Sequence, residues 1–563
     1  MPVSSSYPDV DIPDVDLWSF LFESSRTFSD TQVVYKSSDN PRRQYTFLNV
    51  KDTATAFGEG LYHHFNWQKG DILAIYSPND ADFGPVIFGT LYAGGTISPA
   101  NPGYTTDELA FQLRNAGAKV LVTTQSHLDK AVGAAQSVGI PIECILVLGD
   151  GQSTKSQRCR HWSDIRTPSG KALRGRQKLD PDQNIAFLVY SSGTTGLPKG
   201  VMLSHGNVVS ELCIMTGAMG RWYQSGKDKV LGLLPFFHIY GLVGIVCQCL
   251  YRGIEMIVVR DYEFRRFLEL VETHKITFIY VAPPVIVRLA HDRLADEYNL
   301  RSIRMMTSGA APVPTELVEK VHGRLGIPIN QAYGLSEASP MSHTQPWDEW
   351  HESIGSVGKL FPNMSAKFVA GDQEVKIGTP GELWLAGPTI FKGYWRNPEA
   401  TAAAIVEQDG QRYLRTGDVG YEDANHNFFI TDRVKDLIKY KGFQVTPAEL
   451  EGKLTKHPLV QDAAVIGVYD GAAHTEVPRA YIVHGKRGGQ GCEAVTGVPQ
   501  DDQSRRDAQN IIDWFATQAA NHKQLRGGVR FLDQIPKSAA GKILKMDIKK
   551  MAKREEASQR PKL

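Results

Sequence analysis

Through its first 330 residues or so the chain alternates short apolar runs with longer segments of helical period. Ile72-Leu73-Ala74-Ile75-Tyr76 reads as a strand, Asp82 to Ala93 as a helix and Thr106 to Ala116 as another. Val120-Leu121-Val122-Thr123 and Ile145-Leu146-Val147-Leu148 read as further strands. The pattern then recurs, with strands at Val230–Leu234, Ile254–Val259, Phe278–Val281 and Ile303–Met306 and helices at Glu263–His274 and Pro314–Leu325. Such alternation demands mostly parallel sheets covered by helices on both faces, an α/β fold. Two separate series imply two stacked sheets within one large N-terminal domain. No short-period repeat of the solenoid kind is present.

Beyond residue 380 the character changes to short alternating strands and tight turns, such as Glu382-Leu383-Trp384-Leu385 and Phe428-Phe429-Ile430, a small β-rich subdomain. A smaller α+β segment follows from near Lys435, with a strand at Ala463–Ile466 and helices at Pro447–Lys456 and Asp507–Thr517. The expected division is therefore 1–434 and 435–563. Residues 485–506, rich in Gly, Gln and Asp, read as a flexible surface loop. At 563 residues more than one core is expected.

Lys+Arg 62 against Asp+Glu 61 leaves a net charge of +1, which argues against nucleic acid or an anionic membrane as partner. Six cysteines do not make a disulfide framework, and Cys247 and Cys249, inside an apolar run, read as buried thiols. Neither a secretory signal nor an apolar run of about 20 residues occurs, so the expected location is intracellular. The final Pro561-Lys562-Leu563 differs from the Ser-Lys-Leu peroxisomal address only at its first position, which leaves peroxisome and cytoplasm both open.

One loop carries the chemistry of a polyphosphate site. After the apolar run Ile185–Val189 comes Tyr190-Ser191-Ser192-Gly193-Thr194-Thr195-Gly196-Leu197-Pro198-Lys199-Gly200. Glycines let backbone approach a ligand, N–H groups and hydroxyls donate to phosphate oxygens, and the lysine adds a mobile charge. It is not a Walker A loop, which needs Gly-Lys followed by Ser or Thr. Further stretches stand out in order: Leu234-Pro235-Phe236-Phe237-His238-Ile239-Tyr240-Gly241, with His238 at a strand end; Ser308-Gly309-Ala310-Ala311-Pro312; and Gln331-Ala332-Tyr333-Gly334-Leu335-Ser336-Glu337. Then come Gly381-Glu382-Leu383-Trp384 with Gly393-Tyr394-Trp395, Arg415-Thr416-Gly417-Asp418, Asp432-Arg433-Val434-Lys435-Asp436 and Pro536-Lys537-Ser538-Ala539-Ala540-Gly541-Lys542.

In this order, from about residue 50 to 545, the series resembles the adenylate-forming superfamily, and within it the acid–CoA ligases related to 4-coumarate–CoA ligase. The resemblance implies ATP, Mg²⁺ and CoA: a carboxylic acid, aryl or of medium chain length, attacks the α-phosphate to give an acyl-adenylate, and a thiol then takes the acyl group. It assigns Ser191, Ser192, Gly193, Thr194, Thr195 and Lys199 to the β- and γ-phosphates, as a flap that orders when ATP binds. Ala332, Gly334 and Ser336 take the nucleotide, Tyr333 stacks on adenine, Asp418 and Arg433 hold the ribose, and Glu337 holds Mg²⁺. Ser336 stands where many relatives carry Thr, with the donor retained. Lys542 bridges the acid and the α-phosphate.

The same resemblance puts a hinge at Lys435, about which the small domain alternates between the two half-reactions. Lys439 and Gln444 then contact the nucleotide, and Lys441, Gly442 and Phe443 line the thiol tunnel. The acid pocket is His238, Tyr240, Ser308, Gly309, Ala310, Ala332, Pro340 and Met341, mostly small or apolar, with His238 gating the pocket or guiding the thiol. No carboxylate stands in the His238 segment to meet a substrate ammonium, which disfavours a free amino acid. Competing readings are an adenylating enzyme that loads a carrier protein in trans, a luciferase-like oxidative enzyme, and a non-catalytic nucleotide-binding protein. The last is opposed by the presence of Lys542, Glu337, Asp418 and Arg433 together.

Overall fold

The computed structural model describes residues 3–150, 159–168, 174–191, 198–371, 373–433, 435–441, 443–471, 475–485, 498–499, 501–538 and 541–559. Of Phe443, Gln444 and residues 556–559 only the backbone is described. The chain forms two compact units, one of Met1–Lys367, Trp384–Arg415 and Asn425–Phe428, the other of Phe368–Leu383, Thr416–Ala424 and Phe429–Leu563.

Among the described residues the first unit holds two large sheets. One has eight strands in the order Gly393–Tyr394, Lys199–Ser204, Ile185–Ser191, Thr96–Ala100, Ile72–Tyr76, Ala118–Thr124, Ile145–Leu148 and Arg160–His161. The last six run parallel, and the first two add an antiparallel edge. Ile72–Tyr76 and Thr96–Ala100 are buried at every position, because helices such as Phe83–Tyr92, itself buried all round, leave no wet face. The second sheet has nine strands, with Ile329–Gly334, Met305–Ser308, Phe278–Val281, Lys229–Gly232 and Glu255–Val258 as its parallel centre. Helices Phe264–His274, Pro283–His291 and Thr315–Leu325 pack their apolar faces on it in one continuous core.

Local signals explain why several elements were readable. Helix Thr106–Ala116 begins at a capping box, Thr105 with Glu108, and ends at Gly117 with φ of 77°. Others differ from expectation. Ile303–Met306 is a strand only from Met305, and it runs on to Ser308. Val230–Leu234 stops at Gly232, so His238 is not at a strand end. It is the N-cap of a helical turn, Ile239–Gly241, that continues as the π-helix Leu242–Cys247 and the α-helix Gln248–Arg252. Cys247 and Cys249 are buried on this continuous helix, and burial pushes both thiols well up.

The second unit is α+β. Strands Val460–Asp470, Thr475–His484 and Val529–Phe531 form a sheet, packed by helices Pro447–Leu454, Asp502–Gln518 and Lys545–Gln559. Helix Asp502–Gln518 starts a turn and a half earlier than expected, because Asp501 caps it by accepting the N–H of Ser504. It therefore takes residues 502–506 out of the expected loop, of which 486–497 and 500 lie outside the described residues, as does Pro561-Lys562-Leu563. No helix among the described residues is long and apolar enough to cross a membrane.

At the start of helix Lys545–Gln559, the Lys545 ammonium is only 12% exposed, 3.8 Å from Asp432 and 3.5 Å from Glu451. It ties that helix to strand Phe428–Arg433 and helix Pro447–Leu454. Replacing Lys545 with Met leaves two buried carboxylates facing each other. The expected loss is about 3–5 kcal/mol in urea unfolding at neutral pH; an unchanged midpoint would contradict this role.

Candidate functional site

In the first unit the loop-bearing strands Ile185–Ser191 and Lys199–Ser204 pair antiparallel, with Ser191 directly opposite Lys199. Ser192, Gly193, Thr194 and Thr195 lie outside the described residues. Strand Gly393–Tyr394 pairs with the second of these strands, and Trp395 N–H donates to Gly200 O at 2.7 Å. This brings Tyr394 under the lysine, with Lys199 Nζ 5.1 Å from the ring centroid, inside cation–π range. The Tyr394 hydroxyl donates to Glu337 Oε1 at 2.8 Å, and the Ser191 hydroxyl reaches the same oxygen at 3.5 Å. Burial, reinforced by the Glu337 carboxylate, pushes the Tyr394 phenol well up, so it stays protonated and donates.

Glu337 sits on a short 3-10 turn, Ser336–Ala338, between strands Ile329–Gly334 and Met341–Thr344. The turn folds tightly back: Leu335 N–H donates to Pro340 O at 2.8 Å, and Phe391 N–H to Glu337 O at 2.9 Å. A Cβ on Gly334 would lie 1.9 Å from Pro340 O, so only glycine fits there. Tyr333 is half-buried, its ring 5.6 Å from that of His343, which in turn lies 4.3 Å from Phe428. Burial lowers the His343 imidazole to about 3, which makes it a neutral backing for Tyr333.

The expected acid-pocket residues of this unit partly converge. His238 Nδ1 accepts the N–H of Tyr240 at 3.3 Å. The Tyr240 ring packs on Gly309, where a Cβ would meet it at 2.9 Å, and edge-on against Tyr280 at 5.6 Å. Tyr280 and Tyr223 share a hydroxyl hydrogen bond of 2.6 Å. The hydroxyls of Tyr240 and Ser308 are buried without a hydrogen-bond partner among the described residues. Ala310 has φ of 73°, and Met341 pairs with Gly334 across the strand pair that also carries Ala332 and Pro340's turn.

In the second unit, Thr416 Oγ1 donates to Leu383 O and accepts the N–H of Asp418, at 2.7 and 3.1 Å, which holds the Asp418 turn. Thr431 Oγ1 donates to Val419 O at 3.1 Å, and Tyr421 stacks on Phe429, so the strand ending in Arg433 runs beside Asp418. Arg433 Nε donates to the buried Asp418 carboxylate at 3.0 Å. Lys435 is exposed just beyond this strand. Lys439 and Lys441 are exposed on a hairpin, Ile438–Tyr440 with Phe443–Val445, in which Lys439 pairs with Gln444. The hairpin is pinned by Thr475, whose hydroxyl donates to Lys439 O and accepts Lys441 N–H, both at 2.8 Å. Gly442 and the side chains of Phe443 and Gln444 lie outside the described residues. Lys542, half-buried, lies in a turn closed by Ser538 N–H to Lys542 O at 2.7 Å and Lys542 N–H to Ser538 Oγ at 3.2 Å.

Sequence reasoning singled out Tyr394 within a motif but gave it no role, and it passed over His343 and Glu211. The partners of Tyr394 and Glu211 are far along the chain, so nothing local marks these two.

The family model for the AMP-binding enzyme matches residues 21–395, and that for the AMP-binding enzyme C-terminal domain matches residues 449–542. The chain is 34% identical to 4-coumarate-CoA ligase 1 of Narcissus pseudonarcissus over 553 residues, 97% of this chain and 95% of that protein. It is 33% identical to phenylacetyl-CoA ligase epaB of Aspergillus niger, over 95% of this chain and 96% of that one. Among solved structures, ATP-bound MatB from Rhodopseudomonas palustris superposes with a TM-score of 0.82 at 25% identity, covering 96% of this chain and 99% of that chain.

Two substitutions probe the first unit. Gly334→Ala forces Pro340 and the Glu337 turn apart, and a displacement of about 1 Å at reacting groups costs about 10²-fold in pyrophosphate release. Tyr394→Phe removes a hydrogen bond to a charged acceptor; a loss of about tenfold in the same assay is expected, with the melting temperature little changed.

Proposed function

The chain belongs to the AMP-binding enzyme family, and we propose that it is an ATP-dependent acid–CoA ligase acting on aryl carboxylic acids. The observation that carries the reading is the meeting of Ser191, Lys199 and Glu337 around Tyr394, a donor, a cation and a carboxylate beside one loop. That set suits a polyphosphate. The acid carboxylate attacks the α-phosphorus, the bond to the β-phosphate bridging oxygen breaks, and pyrophosphate leaves with the flap residues Ser191 through Lys199 on its oxygens. Lys542 offsets the repulsion between acid and α-phosphate. The CoA thiol then attacks the acyl carbonyl, and AMP leaves.

Glu337 fits a Mg²⁺ site of the substrate-borne kind. No group of three or more His, Cys, Asp or Glu side chains that could cage a metal occurs among the described residues, and a single carboxylate suffices for an ion bound mainly to phosphates. When bound, the ion neutralises phosphate charge. Tyr333 backs adenine, and the Asp418–Arg433 pair meets the ribose hydroxyls, with Asp418 as acceptor.

The aryl class is supported by the packed rings of Tyr240 and Tyr280 beside the expected pocket residues and by the names of two relatives, a 4-coumarate and a phenylacetyl ligase. The unpartnered hydroxyls of Tyr240 and Ser308 favour an acid with a polar ring substituent. The domain boundary is read at 434/435, with Lys435 as the hinge between an adenylating and a thiol-transferring arrangement. In the second, Lys441, Gly442 and Phe443 flank the pantetheine arm.

The test is pyrophosphate release over a panel of aryl and alkyl acids, with and without CoA. Fastest turnover with a hydroxylated aryl acid and CoA is expected. Release that never yields a thioester points instead to a carrier-protein acceptor or an oxidative fate, and silence with every acid rejects the ligase. Lys542→Ala should lower adenylation by about 10²–10³-fold yet keep thioester formation from supplied acyl-adenylate. Equal loss in both half-reactions would refute the division of labour between Lys542 and the hairpin at Lys439–Gln444.

A further inference from the structure

Helix His205–Met219 follows directly on strand Lys199–Ser204 and is buried along most of its length. It carries a glutamate, Glu211, with no exposure at all. Burial pushes its carboxyl well above the usual carboxylate range, so it is held as the neutral acid. Nothing in the ATP chemistry uses it. Its Oε1 accepts the N–H of Met341 at 2.9 Å, across 130 residues of chain, and its Oε2 has no hydrogen-bond partner among the described residues.

The reason for that contact lies in the strand pair. Tyr333 pairs with His343 but Gly334 pairs with Met341, so one extra residue, Ser342, is accommodated and the ladder is broken there. Met341 N–H leaves the ladder, and a buried N–H without an acceptor is destabilising. Glu211 supplies the acceptor. The same helix grips the neighbouring segment, Asn207 Nδ2 donating to Pro388 O at 2.8 Å and Ile390 O at 3.1 Å; separately, the Ser339 hydroxyl of the Glu337 turn donates to Thr389 O at 2.6 Å.

We propose that Glu211 is a positioning residue for the acid substrate: through the Met341 N–H it fixes the Pro340–Met341 wall of the acid pocket. The assignment rests on the acid–CoA ligase reading and on Met341 lining that pocket. The helix thus holds the acid wall by one side chain and the segment beside Glu337 by another. Losing Glu211 releases the first hold and leaves the second, made by Asn207, in place.

The test uses the full-length enzyme, the best acid of the panel and separate saturation curves for acid and ATP. Glu211→Gln keeps a carbonyl acceptor and the neutral charge, and should keep both KM values within about twofold. Glu211→Met removes the acceptor at nearly constant volume; a rise of about tenfold in acid KM is expected, with a changed order of preferred acids and an ATP KM within about twofold of wild type. Should Glu211→Met be insoluble, Glu211→Asp, one methylene short of the contact, should show the same acid-selective effect. The assignment is overturned if the acceptor-less variant matches wild type, if it raises both KM values alike, or if Glu211→Gln behaves as badly. A wild-type enzyme silent toward every acid removes the ligase reading and this assignment with it; an active one indifferent to Glu211→Met removes the assignment alone.

Discussion

A strand buried on both faces has no surface on which to place chemistry, and this constraint organises the first unit. Ile185–Ser191, Lys229–Gly232, Met305–Ser308 and Ile329–Gly334 are central strands, so their polar neighbours can stand only at the ends. Ser191, Ser308, Gly309, Tyr333 and Glu337 all lie at or just beyond the carboxyl ends of these strands, and His238 caps the helix that follows one of them. Two sheets built this way give a row of loops whose spacing is set by the roughly 4.8 Å between hydrogen-bonded strands. Antiparallel edge strands then carry what the parallel ones cannot: Lys199 and Tyr394 sit on the edge of one sheet, and Met341 sits on the edge of the other.

Much of this was legible because burial writes a simple code. Ile72–Tyr76, Ile145–Leu148 and Phe278–Val281 match expectation to the residue, since a continuous apolar run has one reading once turn residues bound it. His238 was misread for the same reason in reverse. An aromatic, apolar stretch next to a strand looks like more strand, and only the side-chain cap to Tyr240 N–H turns it into a helix start. The early start of helix Asp502–Gln518 was hidden because Asp501 follows a polar, glycine-rich run whose composition argued for loop.

The ordered motifs pointed to the family, but they could not name what holds the side chains of the candidate site still. Glu211 reaches Met341 across 130 positions, and Tyr394 reaches Glu337 across 57. Lys545 lies among many surface lysines in sequence, and only the fold reveals two carboxylates beside it. Residues that touch a ligand are marked by their own chemistry. Residues that aim them are marked only by geometry.

The Tyr394 ring holds a cation against its face and an anion at its hydroxyl, Lys199 on one side and Glu337 on the other. The two loads polarise the ring in the same sense: charge drawn toward the ammonium leaves the phenolic proton more positive, which tightens its hold on the carboxylate. Displacing Lys199 from the ring therefore also loosens the hold on Glu337, without touching it. The aromatic ring couples the Lys199 ammonium to the Glu337 carboxylate, and a change at one end is felt at the other as a change in basicity.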